Sequence, residues 1–252
     1  MLGFSAADIK IRIPFPTGFI AATFLLESSE GSIVNRDSLT GGVQTFLEPG
    51  GVYWCSSGSG VLHEQIPSVP GPMLQGLQVF IDLPAEHKLS NPSFQLIAPG
   101  DVPSSTSDSG VVIRTLVGGE SPIETLVNIS VSEISIPPGV TLHHTLQMDH
   151  STVVIHMLSG TVTVEDSVVG PNDTASVIVN QPGSIEITNS QGSGSLNASF
   201  FLFTGVPLSQ PAVWGGPFLM LDEAQLLDRQ RAFQMGEMGS LLPSAVKWAP
   251  RN

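Results

Sequence analysis

The chain has 252 residues, 41% of them hydrophobic and only 12% charged, with nine Lys plus Arg against 22 Asp plus Glu and a net charge of -13. Binding to a nucleic-acid backbone needs clustered cations, and here the basic residues are scattered from Lys10 to Arg251 with only Arg229 and Arg231 close together, so direct nucleic-acid binding is excluded. A single cysteine, Cys55, excludes an intrachain disulfide and a cysteine-based zinc site. No apolar run approaches the roughly 18 residues of a membrane span, so no transmembrane segment is expected. The opening MLGFSAADIKIRIPFP lacks the basic, apolar and small-residue order of a signal peptide, and an intracellular location is expected. The length allows two ordinary cores, since domains commonly run about 100–150 residues. With 26 Gly and 20 Pro to turn many short strands, the expected fold class is all-β.

From Gly18 the chain reads GFIAATFLLESSEGSIVNRDS, two strand-like runs joined by small polar residues over 27–31, and a hairpin is the economical reading. FLEPGGVYWCSSGSGVLHEQ follows, with a Pro49-Gly50-Gly51 turn, a strand over Val52 to Cys55, a flexible corner at Ser56 to Gly60, and Val61-Leu62-His63 beyond it. Leu74 to Pro84 adds a strand with Leu77, Val79 and Ile81 on one face, completing a first barrel over 1–97. The run APGDVPSSTSDSG has no periodicity and makes 98–110 the linker. After it, TLVNISVSEISIPPGVTL repeats the order of strand, Pro-Gly turn and strand, TVVIHMLSGTVTVED matches the LLESSEGSIVNRD stretch, and VIVNQPGSIEIT matches FLEPGGVYWC. That shared order predicts a duplicated barrel, the second one over 111–221. Asp222 then caps a helix whose third position is Gln225, with Leu226, Leu227 and Phe233 as its apolar face and Gly236 as its stop. Helix and tail occupy 222–252, and Leu241, Leu242, Val246 and Trp248 in the tail either pack onto their own barrel or dock into a partner.

Four stretches resemble the pirin family, the two-barrel branch of the cupins: Gly18-Phe19, residues 48–65, residues 77–95, and GVPLSQPAVWGGPFLM over 205–220 ahead of the capped helix. The resemblance spans nearly the whole chain and implies a bicupin, two tandem antiparallel barrels with a C-terminal helix. It also implies a single non-haem metal, usually iron, held in the first barrel by two His of an HPH run and by the His and Glu of an HxE run. Many such proteins are quercetin 2,3-dioxygenases, and animal members are reported as nuclear transcription cofactors. That chemistry needs three or four imidazole and carboxylate ligands with a position left open. The family's HPH run aligns here with PFP, so Pro14 and Pro16 stand at the imidazole positions, and HxE has become His63-Glu64-Gln65. Proline has no donor atom, a neutral Gln65 oxygen is a poor substitute for a carboxylate, and Glu64, one residue off, points to the opposite face of a strand. His63 is left as the relic ligand.

The second barrel crowds His143, His144, His150 and His156 into a short segment, and a site of His144 or His150 with His156 and Glu186 is the metal alternative there; ordinary surface and core histidines are the simpler reading. His87 falls on a turn and is expected in solvent, and Cys55 in the core. No Gly-x-Ser-x-Gly elbow, phosphate loop or dinucleotide fingerprint occurs. The expected function is that of a pirin-like bicupin without catalytic residues or cofactor, serving as a protein-binding or structural subunit of a multi-subunit assembly. The sparse charge and apolar tail suit a protein partly covered by a partner. The chain reaches Gly18 almost at once, so a barrel edge at or beside Met1 to Pro16 is expected to contact another chain. Two alternatives stand beside this reading. One is a quercetinase-type oxygenase with one non-haem iron or other divalent metal in an altered ligand set. The other is a metal-free small-molecule binder with a pocket lined by Phe19, Phe24, Trp54 and Leu62.

Overall fold

The computed structural model describes residues 4–5, 16–41, 43–69, 71, 73–179, 183–192 and 194–241. They form two units, one combining 2–100 with 208–252 and one over 101–207. The expected opening contact at Met1 to Pro16 and the tail residues Leu242, Val246 and Trp248 lie almost wholly outside the described residues.

The first unit contains β1 (Phe4–Ser5), β2 (Phe19–Leu25), β3 (Ile33–Asp37), β4 (Thr45–Leu47), β5 (Val52–Ser56), β6 (His63–Pro67), β7 (Met73–Leu74), β8 (Gly76–Asp82) and β9 (Ser93–Ile97). They pair antiparallel as a four-stranded sheet β8-β2-β5-β9, a three-stranded sheet β4-β3-β6 and the short pair β1-β7. β2 (FIAATFL) and β5 (VYWCS) are buried along their whole length, as near-continuous apolar runs without a solvent face should be. The hairpin expected between the first two runs does not form, because β2 and β3 lie in different sheets. The connector bonds sideways instead: Leu26 N–H donates to Gln75 O at 2.8 Å and Glu30 N–H to Met73 O at 2.9 Å. With its donors spent on residues 73–75, the connector carries β3 away from β2.

The second unit contains β10 (Ser104–Thr106), β11 (Val112–Val117), β12 (Ile129–Ile136), β13 (Thr141–Thr145), β14 (Thr152–Ser159), β15 (Val162–Val164), β16 (Ser167–Val169), β17 (Thr174–Ile178), β18 (Ser184–Thr188) and β19 (Ala198–Gly205). A six-stranded sheet β10-β11-β12-β19-β14-β17 and a four-stranded sheet β13-β18-β15-β16 enclose one core, with Ile134, Ile155, Met157, Ile187 and Phe200 fully buried. β14 and β15 fall in different sheets, so the likeness between the two halves holds while the hairpin reading of both fails. The expected linker is not irregular throughout: β10 sits inside 98–110 and pairs with β11.

The chain then returns to the first unit with β20 (Val213–Gly215), β21 (Phe218–Met220) and the helix α1 (Glu223–Gln234). Sequence order alone predicts 208–221 in the second barrel. They belong to the first unit because Thr17 bridges Phe218 and because Lys88, 1% exposed, gathers three acceptors with its ammonium. Lys88 Nζ donates to Gly18 O and Leu219 O, both at 2.9 Å, and to the Asp82 carboxylate. Gly18 must be glycine there: its φ is +80 and a Cβ would sit 2.1 Å from Leu219 O. Two antiparallel β units and, among the described residues, one α-helix at their C-terminal end agree with the expected all-β class.

Candidate metal centre in the first barrel

Strand alternation selects what faces the interior of the first unit. β3 and β6 pair with Asn35 opposite Gln65, Arg36 opposite Glu64 and Asp37 opposite His63. Asn35, Asp37, His63 and Gln65 therefore share one face, and contacts to Tyr53 of β5 and Thr23 of β2 make it the inner one. Arg36 and Glu64 point the other way and form a buried ion pair at 2.5 Å. Glu64 is thus spent on a cation outside the cluster, as its odd spacing from the carboxylate position implies.

The protons in the cluster can be assigned from its partners. Asp37 Oδ1 accepts from Leu39 N–H and Thr40 N–H, both at 2.9 Å, and its Oδ2 lies 3.3 Å from Tyr53 Oη. The phenol donates to this carboxylate, since burial, followed by the nearby Cys55 and Asp37, pushes Tyr53 well above its usual range. Tyr53 Oη then accepts from His63 Nδ1–H at 3.3 Å, the two rings stacking with centroids 5.0 Å apart. His63 Nε2 keeps its lone pair and, among the described residues, has no hydrogen-bond partner. Burial lowers the imidazole to about 4, against the opposing pull of the Gln65 amide and the Glu64 charge. It is neutral at pH 7. Cys55 is pushed up to about 12, mainly by burial, so the thiol is an inert core group, as expected.

The Gln65 amide oxygen is fully committed. Gln65 Nε2 donates to Asn35 Oδ1 at 2.7 Å, and its Oε1 accepts from Thr23 Oγ1–H at 2.9 Å and from Gln78 Nε2–H at 3.3 Å. Both lone pairs of the amide oxygen are therefore in use. Pro16 is buried and brings no donor atom, while Pro14 lies outside the described residues. A divalent ion would find one imidazole nitrogen, with the Gln65 oxygen and the Asp37 carboxylate already taken up by hydrogen bonds. This donor set does not fit a catalytic metal, and among the described residues no cluster of three or more His, Cys, Asp or Glu is placed to hold an ion.

The expected apolar pocket is not assembled. Thr23 pairs with Tyr53 and Ala22 with Trp54, so Phe24 and Trp54, at even positions, occupy the face of the sheet opposite the cluster. Phe19 packs with Ala21 and Leu219, and Leu62 joins Phe218, Ala232 and Met238. The second-barrel ligand set fails as well. Glu186 pairs with exposed His143, their Oε1 and Nδ1 3.1 Å apart, whereas His144 lies opposite Ile185 and so points to the other side of the strand. His150 has both ring nitrogens engaged, by Thr204 Oγ1 at 2.7 Å and Asn128 Oδ1 at 2.9 Å, and His156 bonds to Thr174 Oγ1 at 2.8 Å. His87 ends a short 3₁₀ turn, partly exposed. Sequence reading missed Asn35, Asp37 and Tyr53; the alternation of Asn35 and Asp37 in IVNRD was the available signal, obscured because polar residues at such spacing normally face water.

Residues 131–239 match a family model described as the pirin C-terminal cupin domain. Pirin-1 of Arabidopsis thaliana is 27% identical over 83% of this chain and 71% of its own length. A pirin-like protein of Caulobacter vibrioides is 24% identical over 87% of this chain and 77% of its own. Among solved structures, a quercetin 2,3-dioxygenase from Acinetobacter baumannii is similar with a TM-score of 0.79 at 24% identity, covering 90% of this chain and 78% of that one. The bacterial pirin YhhW of Escherichia coli, solved in complex with nickel(II), has a TM-score of 0.60 at 15% identity over 77% of this chain and 75% of its own. At these identities the two structures speak to the fold.

Proposed function

This chain belongs, as a divergent member, to the pirin family of two-barrel cupins, and from that premise we propose that it works without a catalytic metal, as a protein-binding subunit of a larger assembly. The observation that carries the reading is the Gln65 oxygen, held by two donors where the family's carboxylate would bind an ion. The replacement is integrated: Asn35, Thr23 and Gln78 have the hydrogen-bonding groups needed to satisfy an amide, and none of them improves a metal site. An oxygenase would require ligands that converge, and the remaining imidazole stands alone.

Partner binding is supported by an aromatic patch. Phe80 and Trp214 are 45% and 53% exposed, and both lean on the buried ring of Phe19, with centroids 5.0 and 5.5 Å away. Two large aromatic rings exposed side by side on a rigid base are the composition of an interface anchor. The test has two arms. Protein purified without chelator should carry well below one equivalent of Fe, Ni, Cu or Mn and consume no O₂ with quercetin, while Pro14→His, Pro16→His and Gln65→Glu together should raise its metal content. Stoichiometric metal that disappears in His63→Ala would establish the oxygenase instead. In size-exclusion with light scattering, the native protein should run above its monomer mass and Phe80→Ser/Trp214→Ser should return it to monomer. A monomeric native protein that brings no partner with it would remove the assembly reading.

A further inference from the structure

The second barrel has a cleft that neither the lost metal centre nor the aromatic patch accounts for. Its volume is about 170 Å³, and all of its lining residues come from 113–204. The inner faces of three strands lead into it. On β12, Ser130 and Ser132 continue the inward positions of Ile134 and Ile136; on β19, Thr204 continues those of Phe200 and Leu202; on β11, Thr115 follows Ile113. The core is thus aliphatic at one end and changes to hydroxyls at its mouth. Ile113, Val117 and Leu202 form the apolar floor, and His144 of β13 closes one side.

The mouth is held open by backbone irregularity. The register of β11 against β12 shifts between Thr115 and Val117, and the chain leaves the strand through Gly118 at a φ of +78. A Cβ on Gly118 would lie 2.6 Å from Ser130 Oγ, inside the space the cleft occupies. Bulges of this kind occur where a sheet turns a side chain toward a ligand.

The lining chooses the ligand by exclusion. It has no Lys, Arg, Asp or Glu, so nothing there compensates a charged molecule, and a chain of net charge -13 further disfavours anions. Burial lowers the His144 imidazole from its ordinary value, which keeps it neutral in use, able to donate at one nitrogen and accept at the other. Hydroxyls on Thr115, Ser130, Ser132 and Thr204 likewise both donate and accept, although Thr204 is partly engaged by His150 and Ser130 by Gln147. The volume is close to the roughly 150 Å³ that takes one benzene-sized ring, so the cleft has room for a six-membered ring whose substituents reach out to the rim and mouth. We propose that the second barrel binds a neutral, single-ring polyhydroxyl molecule, such as a hexopyranose or an inositol, with its hydroxyls on this rim and its carbon face on the aliphatic floor.

The probes are D-glucose and myo-inositol, with glucuronate and galacturonate as charged rings of the same size, followed by amide chemical shifts and calorimetry on the full chain at pH 7.5. At least one neutral ring should bind in the millimolar range, as a small polar ligand would, moving the Gly118 and Gly119 amides first. Both charged rings should bind at least about tenfold more weakly, and Ser132→Val or His144→Leu should weaken the neutral ring about tenfold, the loss of one or two hydrogen bonds. His63→Ala, in the other barrel, should leave it unchanged. The shift map on the unaltered protein decides the case should a variant fail to fold. Shifts confined elsewhere, equal binding of a charged ring, or no response to either neutral ring at about 50 mM, far above the expected range, would overturn the site.

Discussion

At the scale of single residues, His63 has a structural role in the first unit that needs no metal. Its ring stacks on Tyr53 and donates along a chain that ends on Asp37, so removing it would leave a buried phenol oxygen without its donor. The same burial makes it a pH-dependent liability. The folded state holds the imidazole at about 4 against 6.5 for the free side chain, so between these values the unfolded chain binds more protons. Stability from this group is complete above about pH 6.5 and is lost as pH falls toward 4, by about 3 kcal/mol in all. Urea denaturation at pH 7 and pH 4.5 should show a smaller acid loss in His63→Gln than in the native chain; equal losses would place the titration elsewhere. The donor chemistry of Pro14, Pro16 and Gln65 is legible in the sequence. The hydrogen-bond network around Gln65 is not, because it depends on which residues of β3 and β6 stand opposite one another.

At the scale of elements, α1 is legible almost to the residue. Asp222 Oδ1 accepts from Gln225 N–H at 2.8 Å, the cap that an Asp followed three positions later by Gln announces, while Gln225 Oε1 accepts at 3.4 Å from Leu221 N–H, one residue ahead of the cap. Asp222→Ala should lower stability by about 1 kcal/mol in chemical denaturation, the usual cost of an N-cap. The apolar face was read too broadly: Leu226 and Phe233 pack on Phe218, Ala232 and Met238, whereas Leu227 is 51% exposed. Strands were located well and paired less well. Hairpin pairing was inferred from proximity in sequence, but the 26–32 connector is long enough to cross between sheets and finds its hydrogen bonds at Gln75 and Met73.

At the scale of the molecule, the returning segment of β20 and β21 is tied into the first unit, and Lys88 is the fastening. Its ammonium joins residues far apart in sequence, Gly18, Asp82 and Leu219, while Gln210 Nε2 binds Asp82 Oδ2 at 3.0 Å and Leu83 O at 2.8 Å. Lys88→Met keeps much of the volume but leaves the Asp82 charge without its ammonium and two buried carbonyls without a donor. A loss of about 3 kcal/mol or more is expected for breaking such a pair, measured by thermal and urea unfolding, with Lys88→Arg failing to restore it because three convergent acceptors suit a compact ammonium. A midpoint unchanged by Lys88→Met would mean that the return segment is held by its apolar contacts alone.

The sequence by itself determined the all-β class, the repeated order of strands, the capped helix and the donor chemistry of Pro14, Pro16 and Gln65, two without a side-chain donor atom and one with only a neutral oxygen, because composition, turn residues and side-chain chemistry are local properties. Only the tertiary structure decided that 208–221 completes the first unit, that Glu64 is spent on Arg36, and that Asn35, Thr23 and Gln78 occupy the Gln65 amide. Those outcomes depend on strand register and sheet assignment, and a shift of a single residue in pairing would have turned every one of these side chains to the other face.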